Sequence, residues 1–453
     1  MNLPNYFLAD LPPNAVLTAS MLGEACQTLK RNRQCYLANR STQSLIMLLT
    51  SVGSNWLKSD YPFRNLALEQ APALTGFSAV GLARGLDLFF RQLTAENLES
   101  LLEQEFGHAQ RHERMTSTPP EERTGRASLA TAPELLAHIT AGYLPNPALQ
   151  SIIFGILLRS AQFVKCATGA SLLPRLFAHS LYDADSKLGA CLEIAEWRGG
   201  SLDLEKVLFE AADCVTATGN DETISAIRKA VPAQTRFMGY AHRLSFAFVS
   251  SGVLSGLNAS RIAACAATDI SAWNQLGCLS PHVIYVESGG EISPEQFAEM
   301  LATEMALREQ SEPRGNLPVE IAAAISSRRS IYELRASHSD DTRLWSSKES
   351  TAWTVVFETE SQFQTSCLHR FIYVKSVADL TQALQSADPV RSKISTVGLA
   401  ASEEREQHLA TELARWGATR VCPLGQMQNP PLAWRHDGRP ALAELVRWTD
   451  WEM

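Results

Sequence analysis

The stretch AQFVKCATGASLLPRLFAHSLY, residues 161–182, decides the fold class. Five residues, AQFVK, form an apolar strand that ends in Lys165. A short turn, CATGAS, follows, and ASLLPRLFAHSLY has the apolar spacing of a helix. The same pattern returns downstream. DCVTATGN is a strand that runs into glycine, DETISAIRKAV is a helix that Asn220 or Asp221 can cap, and RLSFAFVSSG resumes as a strand. Strands that alternate with helices point to parallel βαβ units.

A second block of the same kind follows. SPEQFAEMLATEMALREQ is a long helix with Ser293 as cap, Pro294 at its first position and Gln296 completing a capping box. STAWTVVFETE, RFIYVKSV, ISTVGLAAS and ATRVCPLG are strands. DLTQALQSA is a helix, and so is EREQHLATELARWG, stopped by Gly417. Before these blocks, residues 1 to about 105 are helical in pattern, with Thr94 capping DLFFRQLTAENLESLLEQEF. GHAQRHERMTSTPPEERTGRAS, with no apolar period and paired prolines, has the character of an exposed linker or flap. The tail begins as a proline-rich loop and ends, on this reading, in a short helix. The expected domains are 1–246, helical and then nucleotide-binding α/β; 247–422, a catalytic α/β domain; and 423–453, a tail packed on the body or on a second subunit.

Composition bounds the function. The 453 residues are 45% hydrophobic and 19% charged, with a net charge of −8. That balance suits an ordinary globular protein and argues against a nucleic-acid binder, which needs clustered Lys and Arg. Nine cysteines occur singly, without CxxC, so no structural metal site is expected and the compartment reads as a reducing cytoplasm. LQSIIFGILLRSAQFV is interrupted by Arg159 and is too short to span a bilayer, so it reads as a buried helix.

Chemistry concentrates at few positions. Cys278 lies in WNQLGCLSPHVIYVE, between Gly277 and a Ser280-Pro281 turn that can aim a backbone amide at a bound carbonyl. Taken alone, it reads sooner as a small buried core residue, since cysteine is among the most buried residue types. Lys165, at the carboxyl end of a parallel strand, faces the crevice where such sheets bind ligands, or else is a solvated strand end. Thr218, Gly219 and Asn220 make a strand–glycine–helix turn suited to a pyrophosphate, though such turns are common in α/β proteins. His242 is a candidate acid/base or a packed histidine. His436 and Asp437 in WRHDG invite a dyad, but adjacent side chains diverge and a capped turn explains them. Trp434, Trp448 and Trp451 read as packing residues.

The order of these motifs resembles the aldehyde dehydrogenase superfamily, and within it the LuxC type of fatty acyl-CoA reductase. The residues that carry the resemblance are HITAGYLPNP, FVKCATG, LFAHSL, TGNDETISAIR, RFMGYAHRLSF, LGCLSPHVIYVE, TAWTVV and WRHDGRPALAELVRW, over roughly residues 130–453. The resemblance implies two Rossmann-like α/β domains with the active site between them. It implies Cys278 as nucleophile toward an acyl-CoA thioester, an acyl-cysteine, and reduction to a fatty aldehyde. It places Lys165 on the adenosine ribose and Thr218-Gly219-Asn220 at the pyrophosphate. RFMGYAHRLSF lacks the glutamate of the hydrolytic members, which favours acyl reduction over aldehyde oxidation, with His242 in that region. Thr168 stands where NAD-preferring members have glutamate, so NADPH is the expected cofactor. Tyr143 matches the asparagine of the oxyanion site, and Ser366 stands near the place of the glutamate that holds the nicotinamide ribose. These last two departures leave open a non-catalytic scaffold of the same fold that serves an acyl-activating partner. The superfamily habit points to a homo-oligomer, with an acyl carrier as another conceivable donor.

Overall fold

The computed structural model describes residues 3–12, 14–142 and 144–453. Two compact units emerge. The first comprises residues 1–75, 86–241 and 431–453; the second comprises 76–85 and 242–430.

In chain order the strands of the first unit are β1 (Arg126–Thr131), β2 (Leu135–Ile139), β3 (Ala161–Cys166), β4 (Leu192–Glu196), β5 (Cys214–Thr218) and β6 (Arg236–Tyr240). The second unit holds β7 (Leu244–Val249), β8 (Pro281–Glu287), β9 (Thr342–Ser346), β10 (Thr354–Glu358), β11 (Phe371–Val377), β12 (Ile394–Ala400) and β13 (Arg420–Pro423). β14 (Arg447–Glu452) returns to the first unit.

β4-β3-β2-β5-β6 form a five-stranded sheet in that order, parallel throughout. Leu22, Cys26 and Leu29 of helix Ala19–Tyr36 and Leu208 and Phe209 of helix Leu202–Ala211 bury one face. Helix Asn146–Leu157, buried along most of its length as its apolar sequence demands, packs on β2 and β3 from the connection between them. Strand order reverses between β2 and β5, and there the carboxyl ends diverge into a crevice.

The second sheet has seven strands, β13-β12-β7-β8-β11-β10-β9, parallel except for antiparallel β9 at the edge. Helices Gly256–Ser271 and Pro294–Ser311 cover one face. Helices Val319–His338, Leu380–Ala387 and Glu403–Trp416 cover the other. With both faces covered, β8 is buried at all seven positions, which explains its unbroken apolar run.

Local signals in the sequence act as expected. Thr94, Asn220 and Ser293 each cap a helix through a side-chain oxygen, and Ser293 and Gln296 form the capping box. Two expectations fail. Residues 107–128 are not a linker: Arg111, 4% exposed, pairs with Glu121 at 2.5 Å, and a short helix, Pro119–Arg123, leads into β1. Ion pairs order this segment, so it carries no apolar period. The tail ends in β14, which pairs antiparallel with β1, and not in a helix. Glu105 accepts hydrogen bonds from the backbone amides of Leu442 and Ala443, at 2.8 and 3.0 Å, and so ties down the chain just before that strand. The Trp-Thr-Asp-Trp run that follows favours a strand. Among the described residues no helix is long and apolar enough to cross a membrane.

Candidate active site

Cys278 sits half-buried in a turn closed by the Ser280 amide donating to the Gly277 carbonyl at 2.9 Å. This turn immediately precedes β8, so the thiol lies at the amino end of its strand. Three consecutive residues in the left-handed region carry the chain there from helix Gly256–Ser271: Trp273, Asn274 and Gln275, with φ of 52°, 51° and 64°. Each costs about 1–2 kcal/mol relative to ordinary backbone and must be held from outside.

The clamp is visible. Trp273 packs against Phe77 and over Gly85, whose missing side chain makes room: a Cβ there would lie 2.2 Å from the indole. Asn274 donates to the Arg314 carbonyl at 2.8 Å. Gln275, fully buried, donates from Nε2 to the carbonyls of Pro281 and Phe371, at 2.7 and 3.0 Å, and to Ser366 Oγ at 3.3 Å. A second left-handed run, Leu368, His369 and Arg370, faces this one through Ser366 and Phe371. Arg370, 1% exposed, anchors it on Glu309 and on the Glu312 carbonyl, both at 2.8 Å.

Two further elements hold the cysteine turn. Ser245 of β7 donates to the Cys278 carbonyl at 2.7 Å and accepts from the Thr396 amide at 3.2 Å. Gln428 donates to Ser280 Oγ at 3.1 Å. The Gln428 loop is fixed by Arg420, which donates to the carbonyls of Gln426 and Met427, and by Asp269, which accepts from the amides of Gly425 and Met427. Burial pushes the Asp269 carboxyl up to about 7. Burial lowers Arg420, partly offset by attraction to Cys422, Asp269 and Cys278. Burial pushes the thiols of Cys26, Cys166, Cys191, Cys214 and Cys422 up to about 11 or 12 and raises those of Cys265 and Cys367.

His282, next to the turn, accepts from the Ser366 amide at Nδ1, so its ring proton lies on Nε2. Burial, then the nearby His242, lowers it to about 4, so it is neutral at physiological pH. His242 itself is exposed, in the segment before β7. Tyr143 lies outside the described residues.

The first unit presents the other candidates at the carboxyl edge of its sheet. Lys165, the last residue but one of β3, is buried, its Nζ 5.7 Å from the centre of the Trp197 ring. Burial lowers it, against the pull of Glu205, Cys166 and Glu196. Thr168 is exposed in the following turn. At the end of β5, Asn220 accepts from the Thr223 amide at 2.8 Å, and the Gly219 amide is engaged with the Tyr240 carbonyl at 3.2 Å. Gly219 therefore offers close approach rather than a donor, and Asp221 and Glu222 in the first helical turn offset the dipole. A cavity at the strand-order reversal is lined by Thr140, Gly142, Pro145, Gly169 and Leu173. Gly142, with φ 73° and nothing within 4 Å of a built Cβ, leaves backbone open to it. An open parallel sheet with a cationic strand end and bare glycine backbone at its switch point fits a dinucleotide. His436 stacks on Tyr240 at 4.6 Å in a short turn, as a packing residue does.

The sequence-based reading missed Gln275, Ser245, His282 and Arg420. Only Gln275 and His282 lie near enough to the cysteine in sequence for proximity to have flagged them.

A family profile described as acyl-CoA reductase (LuxC) matches residues 37–448. The chain belongs to the acyl-CoA reductase (LuxC) family. Similar members include long-chain acyl-protein thioester reductase 2 of Photobacterium leiognathi, 22% identical over 320 residues, 70% of this chain and 63% of that protein. The chain thus spans less than two thirds of that relative's length. The long-chain acyl-protein thioester reductase of Photorhabdus laumondii subsp. laumondii is 22% identical over 415 residues, 90% of this chain and 82% of its own. The fold is that of the aldehyde dehydrogenases. The NADP-dependent glyceraldehyde-3-phosphate dehydrogenase of Bacillus halodurans, solved with NADP, superposes with a TM-score of 0.71 at 13% identity, covering 96% of this chain and 92% of that one. The NAD-dependent benzaldehyde dehydrogenase of Corynebacterium glutamicum gives 0.67 at 12%, covering 96% and 91%.

Proposed function

We propose that this LuxC-family protein reduces a fatty acyl thioester, acyl-CoA or an acylated protein, to the aldehyde through an acyl-cysteine at Cys278, with NADPH as reductant. The observation that carries the reading is the turn around Cys278: a half-buried thiol on backbone held by three separate elements. The Cys278 thiolate adds to the thioester carbonyl, the bond to the donor sulfur breaks, and the donor leaves as a thiol. Arg420, on the loop that holds the turn, would favour the negative sulfur, and a backbone amide of the turn would serve the oxyanion. Fixing the Cys278 carbonyl through Ser245 keeps the sulfur aimed during both steps. When bound, NADPH would supply a hydride to the acyl-cysteine carbonyl, and loss of the aldehyde from the resulting adduct would return Cys278 as thiolate. Lys165 and Thr168 would hold the adenosine ribose, with Thr218, Gly219 and Asn220 beside the pyrophosphate. The segment from β6 into β7 carries no carboxylate to activate water, so the acyl-enzyme survives to be reduced. His242, exposed on the same segment, is the candidate proton donor to the departing group. The reading places the protein in the cytoplasm as a homo-oligomer, alone or with an acyl-activating enzyme.

The test is acylation without reductant. Incubated with radiolabelled long-chain acyl-CoA, the wild-type chain should take up label that hydroxylamine removes and that NADPH discharges as aldehyde. Cys278→Ala should take up none. Label retained by the variant, or none on the wild type with either acyl-CoA or acylated protein, would overturn the proposal.

A further inference from the structure

Asp269 is a wholly buried acid that no step of the proposed chemistry uses. It lies near the end of helix Gly256–Ser271, one turn before the left-handed run that leads to Cys278. Its Oδ2 accepts from the Gly425 amide at 2.5 Å and its Oδ1 from the Met427 amide at 3.0 Å, and the Gln428 amide adds to the attraction. These amides belong to residues 425–428, the loop after β13. The same loop sends Gln428 to Ser280 Oγ at 3.1 Å, and the Ser280 amide closes the turn of Cys278. From Cys278 the chain runs back through Gln275, Asn274 and Trp273 into the helix that carries Asp269. The links form a closed ring, and Cys278 is part of it.

The seat of the loop suits this grip. Gly425, with φ 94°, lies flat on the helix: a Cβ there would be 3.0 Å from the Cβ of Cys265. Met427, fully buried, fills the space left by Gly398 of β12, where a Cβ would be 2.6 Å from its sulfur. Asp269 takes the loop's amides, and Arg420 takes its carbonyls, those of Met427 and Gln426, at 2.7 and 2.8 Å. A buried carboxylate is costly, and the backbone amides offset that cost. We infer that Asp269 is a positioning residue for acyl transfer: by gripping the loop of residues 425–428 it closes the ring that aims Cys278. This rests on the proposed acyl-cysteine chemistry and names a residue that orients its nucleophile from a distance.

The grip depends on the ionised form. A carboxylate accepts both amides, whereas a protonated carboxyl carries a donor of its own and releases one of them. Burial pushes Asp269 up to about 7, so the change falls near neutral pH. The charged and titratable groups that face it are Cys265 on its own helix and Arg420 and Cys422 on β13. Burial raises both thiols, and the guanidinium remains a cation, so of this set Asp269 is the one that changes charge there.

The test follows the rate of acylation against the concentration of radiolabelled long-chain acyl-CoA, without reductant, in the full chain. Asp269→Asn keeps the shape but turns an NH2 group toward one of the two amides. It should lower the saturating rate by about tenfold or more and leave the half-saturating concentration within about twofold, because aim is lost and donor binding is not. Gln428 is half-buried and outside every packed core cluster, so Gln428→Leu tests the same ring if Asp269→Asn fails to fold. It should slow the rate to a similar degree, and the double variant should stay within about twofold of the slower single one, since both changes open one ring. The wild-type rate should fall as pH drops through about 7 more steeply than that of Asp269→Asn, which keeps only the dependence of the thiol. Either single variant at full rate, losses that multiply in the double variant, or a pH profile unchanged by Asp269→Asn would overturn the inference and leave the acyl-cysteine reading standing. A wild type that takes no label would overturn that reading itself.

Discussion

Replacing Gln275 by leucine tests the idea that Cys278 depends on strained backbone held from outside. Leucine nearly matches the volume but donates nothing. Three hydrogen bonds disappear from a fully buried site, and the carbonyls of Pro281 and Phe371 lose a donor. A lost neutral bond costs about 1 kcal/mol net, and an orphaned buried acceptor about 1–3 kcal/mol. Better burial of the leucine returns some of this, leaving a deficit of about 2–4 kcal/mol. Three left-handed residues store a comparable sum, so the run at Trp273–Gln275 should relax toward ordinary backbone once the clamp opens. The urea midpoint should fall, and acylation of Cys278 should slow by about tenfold or more because the sulfur loses its aim. A midpoint shift worth less than about 0.5 kcal/mol, together with unchanged acylation, would show that the clamp is incidental and refute the reasoning.

Gly85→Ala puts a methyl 2.2 Å from the Trp273 ring and should cost about 1–3 kcal/mol in urea unfolding, with slower labelling of Cys278; an unaffected midpoint would mean that the indole has room to move. Glu193→Gln tests the docking of the N-terminal segment. Burial raises this carboxyl to about 8, while its oxygen accepts from the Leu8 amide at 2.7 Å. The folded pKa is above the unfolded value, so the stabilising contribution is complete below about 4.5 and is lost as pH rises through 8. Glutamine keeps the acceptor without titrating. Its advantage over wild type should therefore grow by about 2 kcal/mol between pH 6 and 9, and a constant difference in urea midpoint would contradict this.

The two parallel sheets were legible because their strands are continuous apolar runs punctuated by Lys165, Gly219 and capped helices. Asn220, Ser293 and Thr94 announced helix starts through side-chain chemistry that acts within three residues. What escaped depends on long-range pairing. Helix Val319–His338 buries only Ile325, Arg329 and Tyr332, too few to show a period. β14 is exposed at all six positions and so shows no alternation of burial; its distant partner β1 makes it a strand. At the site, Cys278 and Lys165 stood out by neighbours in sequence. Arg420, from a strand 142 residues further on, and Ser245, 33 residues before, arrive through sheet order alone. Nothing in Trp-Asn-Gln signals three left-handed residues in a row, because the clamp that holds them lies elsewhere in the chain.

The pairing of β1 with β14 has a consequence for biosynthesis. The first unit is threaded through three separate pieces of chain, and its last piece, residues 431–453, emerges only after all of the second unit has been made. At about 5–20 residues per second, the ribosome takes on the order of ten seconds or more to cover that interval. During it β1 waits without its partner strand. The second unit, nearly contiguous, can fold in the meantime. Premature termination after residue 430 would therefore release a finished seven-stranded unit beside one that lacks its closing strand, with β1 exposed as an unpaired edge open to aggregation.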